Sequence, residues 1–188
     1  MNLLALAVLV LVVLDPLTTT IAAAVLSGNP RSRATVVTVG IVLAAVLLGG
    51  AALVADPLLD WLDISDPAAA LAAGIVVAVP ALELLWRGPE GRVRPVPDAP
   101  PIRLGAFPLA VPVIVSPAAL LAVVAWSGAE GAGTTLAAVV LALAVTAVTA
   151  IAWSAPPTGR AARIAGAFAG AATAVVAFDL VRDGIFTT

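Results

Sequence analysis

The chain has 188 residues, of which 62% are hydrophobic and only 11% charged, and its mean hydropathy is +1.17. Soluble domains are about 45–50% apolar and about 25% charged, so this is the composition of an integral membrane protein. Cysteine and histidine are both absent, which excludes disulfides, thiolate and imidazole metal sites and histidine acid–base catalysis. No metal, no cofactor and no enzymatic activity are expected. All nine basic residues are arginine, and a net charge of −2 leaves no basic patch for nucleic acid.

Six apolar segments reach the roughly 20 residues that a transmembrane helix needs. They lie near 2–27, 35–55, 68–86, 104–126, 134–154 and 161–181. The first has no basic side chain before it and runs on past Asp15-Pro16 to Leu26. It is therefore expected to be a retained span rather than a cleaved signal peptide. Asp15-Pro16 falls near its middle, with Thr18, Thr19 and Thr20 just after. An intramembrane carboxyl is costly and marks a functional site by default. A proline there interrupts a hydrogen-bond ladder that lipid cannot repair.

Arg31 and Arg33 follow the first span, and an acidic outer loop with Asp56, Asp60, Trp61, Asp63 and Asp66 follows the second. Asp66-Pro67 reads as a helix restart, with aspartate as cap and proline in the first turn. Pro80 reads as a kink in the third span. Residues 87–103, rich in proline and charge, form a linker that divides the chain into 1–86 and 104–188. In the fourth span Pro108, Pro112 and Ser116-Pro117 again interrupt an apolar run.

Eight of the nine arginines lie in the loop after the first span, the linker and the loop before the last span. The positive-inside rule makes that side cytoplasmic and places both termini outside, as expected of a multi-pass protein of a prokaryotic inner membrane. Trp86, Trp126 and Trp153 sit near predicted helix ends and read as interface anchors. Glu83 with Arg87 at i+4, and Asp179 with Arg182 at i+3, read as ion pairs or gates. Gly40, Gly49, Gly50, Gly74, Gly166 and Gly170 read as close-packing positions.

The two halves repeat. Ala73-Gly74, Ala78-Val79, Ala81 and Glu83-Leu84 recur as Ala169-Gly170, Ala174-Val175, Ala177 and Asp179-Leu180. Asp15-Pro16 and Ser116-Pro117 correspond as polar-proline breaks. Three spans per half make the halves inverted, an architecture of secondary transporters whose site lies at interrupted helices near the midplane. The expected fold is an all-α polytopic membrane protein of six helices in two inverted three-helix repeats, with the first and fourth interrupted.

A helix restarting inside the membrane presents unpaired N–H groups and a positive dipole end. Two such ends suit a carboxylate, while unwound carbonyls and hydroxyls suit an ammonium. The candidate binding residues are Asp15, Pro16, Thr18, Thr19, Thr20, Ser116 and Pro117. The expected partners are the lipid bilayer and a small zwitterionic substrate, with a proton or cation as a possible co-substrate and a homo-oligomer as a possible assembly. Asp15, the one titratable group among the binding residues, is also the candidate for proton coupling.

The chain resembles the MarC-related family of small inner-membrane proteins, which includes small neutral amino acid transporters. The resemblance rests on Asp15-Pro16-Leu17, Ile64-Ser65, Ala72-Ala73-Gly74-Ile75 and Ala81-Leu82-Glu83. Further matches are Phe107-Pro108-Leu109-Ala110-Val111-Pro112-Val113-Ile114 leading into Ser116-Pro117, and Arg163-Ile164-Ala165-Gly166. Asp15 stands where the family has asparagine, and Ser116-Pro117-Ala118 where it has Gly-Pro-Gly. The resemblance implies six spans, both termini outside, and transport of solutes like glycine, alanine, serine or threonine. The alternatives are a channel, which needs a continuous polar lining, and a non-transporting scaffold. An aspartyl protease built on Asp15 and Asp179 is disfavoured by their different predicted depths.

Overall fold

A computed structural model of the chain describes residues 1–27, 29–89, 99–153 and 157–186. Among these the fold is helical throughout: α1 Leu3–Leu14, α2 Pro16–Leu26, α3 Pro30–Trp61, α4 Asp66–Arg87, α5 Pro101–Leu104, α6 Pro117–Glu130, α7 Ala132–Ala152 and α8 Gly159–Phe186. Between α5 and α6 runs a distorted helical segment, Gly105–Ile114, in which Phe107 and Val111 are extended. Four helices are long and apolar enough to cross a membrane: α3, α4, α7 and α8. The α1–α2 pair bends by 43° and the α5–α6 pair by 62°, and counting each pair as one bent span gives six.

Helix ends follow local chemistry. The Asn2 side chain accepts from Ala5 N–H and the Asn29 side chain from Ser32 N–H, both at 2.8 Å, which satisfies donors that no helix carbonyl can reach. Pro16, Pro30, Pro67, Pro101 and Pro117 each occupy a first-turn position, where a missing N–H costs nothing.

Several expectations need correction. α3 does not stop at residue 55 but continues through Asp56 and Pro57 to Trp61, so Asp56, Asp60 and Trp61 belong to a helix rather than to a loop. Pro57 removes one N–H, the donor to Leu53 C=O, and a single lost bond does not end a helix this long. α4 is capped by Ser65, and Asp66 is its first residue rather than its cap. Trp126 is only 5% exposed, because α6 runs on to Glu130 and carries it into the core. Trp61 and Trp86, in contrast, are 80% and 88% exposed. The linker expected at 87–103 loses Arg87 to α4 and Pro101 to Arg103 to α5. Its centre, with Arg92, Arg94 and Asp98, lies outside the described residues.

The core consists largely of alanine, leucine and valine, with glycines where helices touch. Ala22, Ala44, Ala52, Ala73, Ala81, Ala122 and Ala138 are fully buried, with Leu6, Leu48, Leu109 and Ile114 filling the wider gaps. In lipid, helices gain little from hiding apolar surface, so small side chains that let backbones touch supply the packing energy. Outward-facing Val42, Val46, Phe168, Val175 and Phe178 are exposed, as expected for a surface solvated by acyl chains.

The tightest contact is antiparallel, between α4 and α8. A Cβ at Gly74 would stand 2.7 Å from Ala177 O, and one at Gly170 would stand 2.9 Å from Ala81 O. Gly184 faces Pro67 O and Gly166 faces Pro89 in the same way. A second close approach joins the distorted segment to α3, where a Cβ at Gly105 would lie 2.6 Å from Val36 O. Among the described residues, interhelical hydrogen bonds add to this packing, from Ser127 Oγ on α6 to Ala52 O on α3 at 2.9 Å and from Arg33 Nη2 on α3 to Thr20 O on α2 at 3.4 Å. Gly50 differs from the expectation: nothing lies within 4 Å of its missing Cβ.

Gly74→Val should therefore lower stability by about 1–3 kcal/mol through overpacking against the α8 backbone. Gly50→Ala should be neutral or stabilising by up to about 1 kcal/mol, through helix propensity alone. Thermal unfolding of the two detergent-solubilised variants beside the native protein measures both.

Candidate functional site

The break between α1 and α2 is a single residue. Asp15 has φ 48° and ψ 73°, the left-handed region, and serves at once as the C-cap of α1 and the N-cap of α2. Its N–H donates to Val12 O at 3.3 Å and closes α1, while its C=O accepts from Thr19 N–H at 3.1 Å and opens α2. Its carboxylate turns back over the α2 start, accepting from Thr18 N–H at 3.2 Å and from the Thr18 hydroxyl. Left-handed geometry is costly for most side chains, and asparagine and aspartate tolerate it best after glycine. The sequence thus places a residue type here that can both reverse the chain and cap the second helix.

The second break is longer. Val115 leaves helical geometry (φ −91°, ψ 78°), and its N–H donates to Ala110 O at 2.7 Å. Ser116 is extended, and its Oγ accepts from Ala119 N–H at 3.1 Å to cap α6. The bonds before Pro108 and Pro112 are cis. In a continuous helix these two prolines would leave the carbonyls of Leu104 and Pro108 without their i+4 donors, and the irregular path follows from that deficit.

The two breaks face one cavity of about 360 Å³. Asp15, Thr18, Ser116 and Pro117 line it, together with Glu83 from α4 and Thr173 from α8. Its apolar wall is Val13, Val76, Val79, Pro80, Leu84, Pro112, Val113 and Ala118. Of the sequence candidates, then, Asp15, Thr18, Ser116 and Pro117 share one space. Pro16, Thr19 and Thr20 do not border it. Thr20 Oγ1 donates to Pro16 O at 2.7 Å, and Thr19 is fully buried, its hydroxyl without a hydrogen-bond partner among the described residues.

Asp15 is 7% exposed, and its neighbours in the lining Thr18, Ala118 and Thr173 are buried as well. Glu83 lies one turn before the end of α4, so the cavity extends from the breaks toward that end. Glu83 also stands 3.9 Å from Arg87, a loose and hydrated pair. Asp179 pairs with Arg182 at 2.8 Å and does not border the cavity. Thr173 was not singled out from the sequence. Its signal was a lone hydroxyl three residues after Gly170, on the stripe of α8 that packs against α4. Thr173 Oγ1 donates to Ala169 O at 2.8 Å, the usual way an intrahelical threonine is satisfied in lipid.

Helix geometry leaves each restart one further donor. Pro16 and Pro117 have no N–H, and Thr18 N–H and Ala119 N–H are taken by the cap side chains. Leu17 N–H and Ala118 N–H remain beyond the reach of any carbonyl of their own helix. Only Ala118 borders the cavity.

Asp15→Asn should preserve the fold, because asparagine adopts the left-handed conformation and its amide oxygen can still accept from Thr18 N–H. Asp15→Ala should lose about 1–2 kcal/mol from the missing cap, with further backbone strain. Thermal unfolding of both variants in detergent compares them, and equal stability of the two would contradict the double-cap role.

A family model described as MarC family integral membrane protein matches residues 1–169 of the chain. No curated protein and no solved structure matches it.

Proposed function

Since the chain belongs to the MarC family of integral membrane proteins, we propose that it is a secondary transporter or exporter of small neutral solutes, small amino acids above all. Small neutral amino acids are the class that the resemblance implies. The observation that carries this reading is the single cavity shared by both interrupted spans, Asp15 and Thr18 from one and Ser116 and Pro117 from the other. Interrupted helices meeting at a cavity are the recurring form of a secondary-transporter site.

In this reading the chain is two inverted three-helix repeats, residues 1–86 and 104–188. It lies in a prokaryotic inner membrane with both termini outside. The α4–α8 contact supports the repeat. Gly74 meets Ala177 and Val181, and Gly170, 96 residues later, meets Ala81 and Leu85. Adding the same offset to Ala81 and Leu85 gives Ala177 and Val181, so the contact maps onto itself when the halves are exchanged. The apolar wall and the few polar lining groups suit one small solute at a time, and nothing in the lining requires bond-making chemistry.

Counterflow in proteoliposomes tests the transport reading. Reconstituted protein should exchange labelled L-serine or L-alanine saturably against an internal pool of the same solute. Val113→Phe, which fills the cavity, should reduce that exchange at least about tenfold. Flux that rises linearly with concentration would point to a channel, and no flux of either solute would sink the transporter. If Asp15 couples the cycle to protons, Asp15→Asn should flatten the pH dependence of exchange between pH 5 and 8. An unchanged profile removes the coupling role.

A further inference from the structure

We infer that the cavity extends toward the arginine-rich side alone, and that the α4–α8 pair tips as one body to open a second entrance from the opposite side, lined by Val176 and Leu180 of α8. This rests on reading the cavity as a transporter site.

The first observation is that the cavity is one-sided. α4 lines it with Val76, Val79, Pro80, Glu83 and Leu84, which run from its middle toward its Arg87 end. α6 contributes only Pro117 and Ala118, its first two residues, and α1 only Val13, beside the break. Thr173 lies at the middle of α8. Among the described residues, then, the lining starts at the breaks and runs toward one end of the bundle. That end carries Arg87 and Arg163, where a Cβ at Gly88 would stand 3.6 Å from Arg163 Cγ.

The second observation is what closes the other side. There α6 meets the start of α4: a Cβ at Gly128 would stand 2.5 Å from Asp66 Oδ1. In the repeat α2 corresponds to α6, α3 to α7 and α4 to α8. Much of the packing obeys that exchange, since α3 lies against the distorted segment and α6 as α7 lies against α1 and α2. One pair departs from it. α4 packs closely along α6, whereas α8 hardly meets α2. α2 runs from the first break toward the arginine-rich side, so the weaker contact falls on the side to which the cavity extends.

The third observation identifies what moves. The two unequal contacts each join α4 or α8 to a helix that follows a break. α4 and α8 touch through their backbones, at Gly74 against Ala177 O and at Gly170 against Ala81 O, and so close a pair moves as a unit. α6, by contrast, is bonded to α3 through Ser127 Oγ and Ala52 O. Releasing α4 from α6 and bringing α8 onto α2 exchanges the roles of the halves, the rocking that inverted repeats permit. The offset that carries Gly74 to Gly170 carries Pro80 to Val176 and Leu84 to Leu180. Pro80 and Leu84 line the present cavity, while Val176 and Leu180 are 2% and 5% exposed and do not border it. In the second state these two take over the lining.

The chain has no cysteine, so introduced thiols stand alone. A Cβ at Gly128 would lie 3.2 Å from Asp66 Cγ, so oxidation of Asp66→Cys with Gly128→Cys should form a disulfide that holds α4 on α6. In proteoliposomes that disulfide should lower L-alanine counterflow at least about tenfold, and dithiothreitol should restore it. Each single variant, oxidised alike, should exchange as the native protein does. A second readout needs no transport. A minor conformation is ordinarily populated at about 0.1–10%, so Leu180→Cys in detergent should react slowly but completely with a charged maleimide, and at least about tenfold more slowly once the 66–128 disulfide is present. Undiminished exchange by the oxidised protein, failure of the disulfide to form, or equal reactivity at position 180 with and without it would overturn the inference. If the double variant does not fold, Leu180→Cys alone decides, and complete resistance to the maleimide overturns it. Protection of position 180 by the disulfide, with no exchange by the native protein, would leave the tipping motion standing and remove the transporter.

Discussion

A chain in hydrocarbon must satisfy its own backbone hydrogen bonds, and the candidate site is a consequence of how this chain breaks that rule locally and repairs it. Each break joins a polar residue to a proline. The proline removes one donor that would otherwise be orphaned, and the polar side chain accepts from another. At the first break Asp15 does this for α2 while also closing α1 through its own N–H. At the second, Ser116 caps α6 after a segment already loosened by Pro108 and Pro112. Bends of 43° and 62° result, and the space they open becomes a cavity because the uninterrupted helices α4 and α8 stand on the other side.

Those two helices are held by backbone contact more than by side-chain volume. Along α4 and α8, glycines on both partners let carbonyls and Cα atoms touch, and the pair contributes Val76, Val79, Pro80, Glu83, Leu84 and Thr173 to the cavity wall. The division of labour is physical. Small residues build a rigid wall with little entropy to lose, and polar-proline pairs build the irregular wall opposite it.

Much of this was legible in the sequence. The apolar runs located the four long helices and both bent pairs, since hydropathy is the main signal in lipid, although α3 and α8 run about five residues past their expected limits, and Asp15-Pro16 and Ser116-Pro117 marked the two bends. The i+4 and i+3 spacings of Glu83 with Arg87 and Asp179 with Arg182 gave their ion pairs. What stayed hidden were features set by rotation about a helix axis. Thr18, Thr19 and Thr20 are neighbours in sequence, yet only Thr18 borders the cavity, because successive residues point about 100° apart. Thr173 carries no local signal of its inward direction beyond the glycine stripe beside it. Trp126 and Asp56-Pro57 misled for a different reason. Each looked like a helix end by residue type, while the helix continued because nothing nearby offered its backbone a better partner.

The length of α3 has a consequence of its own. Between Arg33 and Asp56 it carries no charged side chain, and that stretch, Ala34 to Ala55, spans about 33 Å at about 1.5 Å per residue. A bilayer's hydrocarbon core is about 30 Å thick. The helix is thus a gauge graduated by its own charges, with an arginine at one limit and an aspartate at the other. Its last six residues, beginning with Asp56, lie past that charge-free stretch and add a second acid, Asp60. The arginine at one limit is 8% exposed and donates to Thr20 O on α2 at 3.4 Å, so the same residue that bounds the charge-free stretch also ties α3 to the first bent pair.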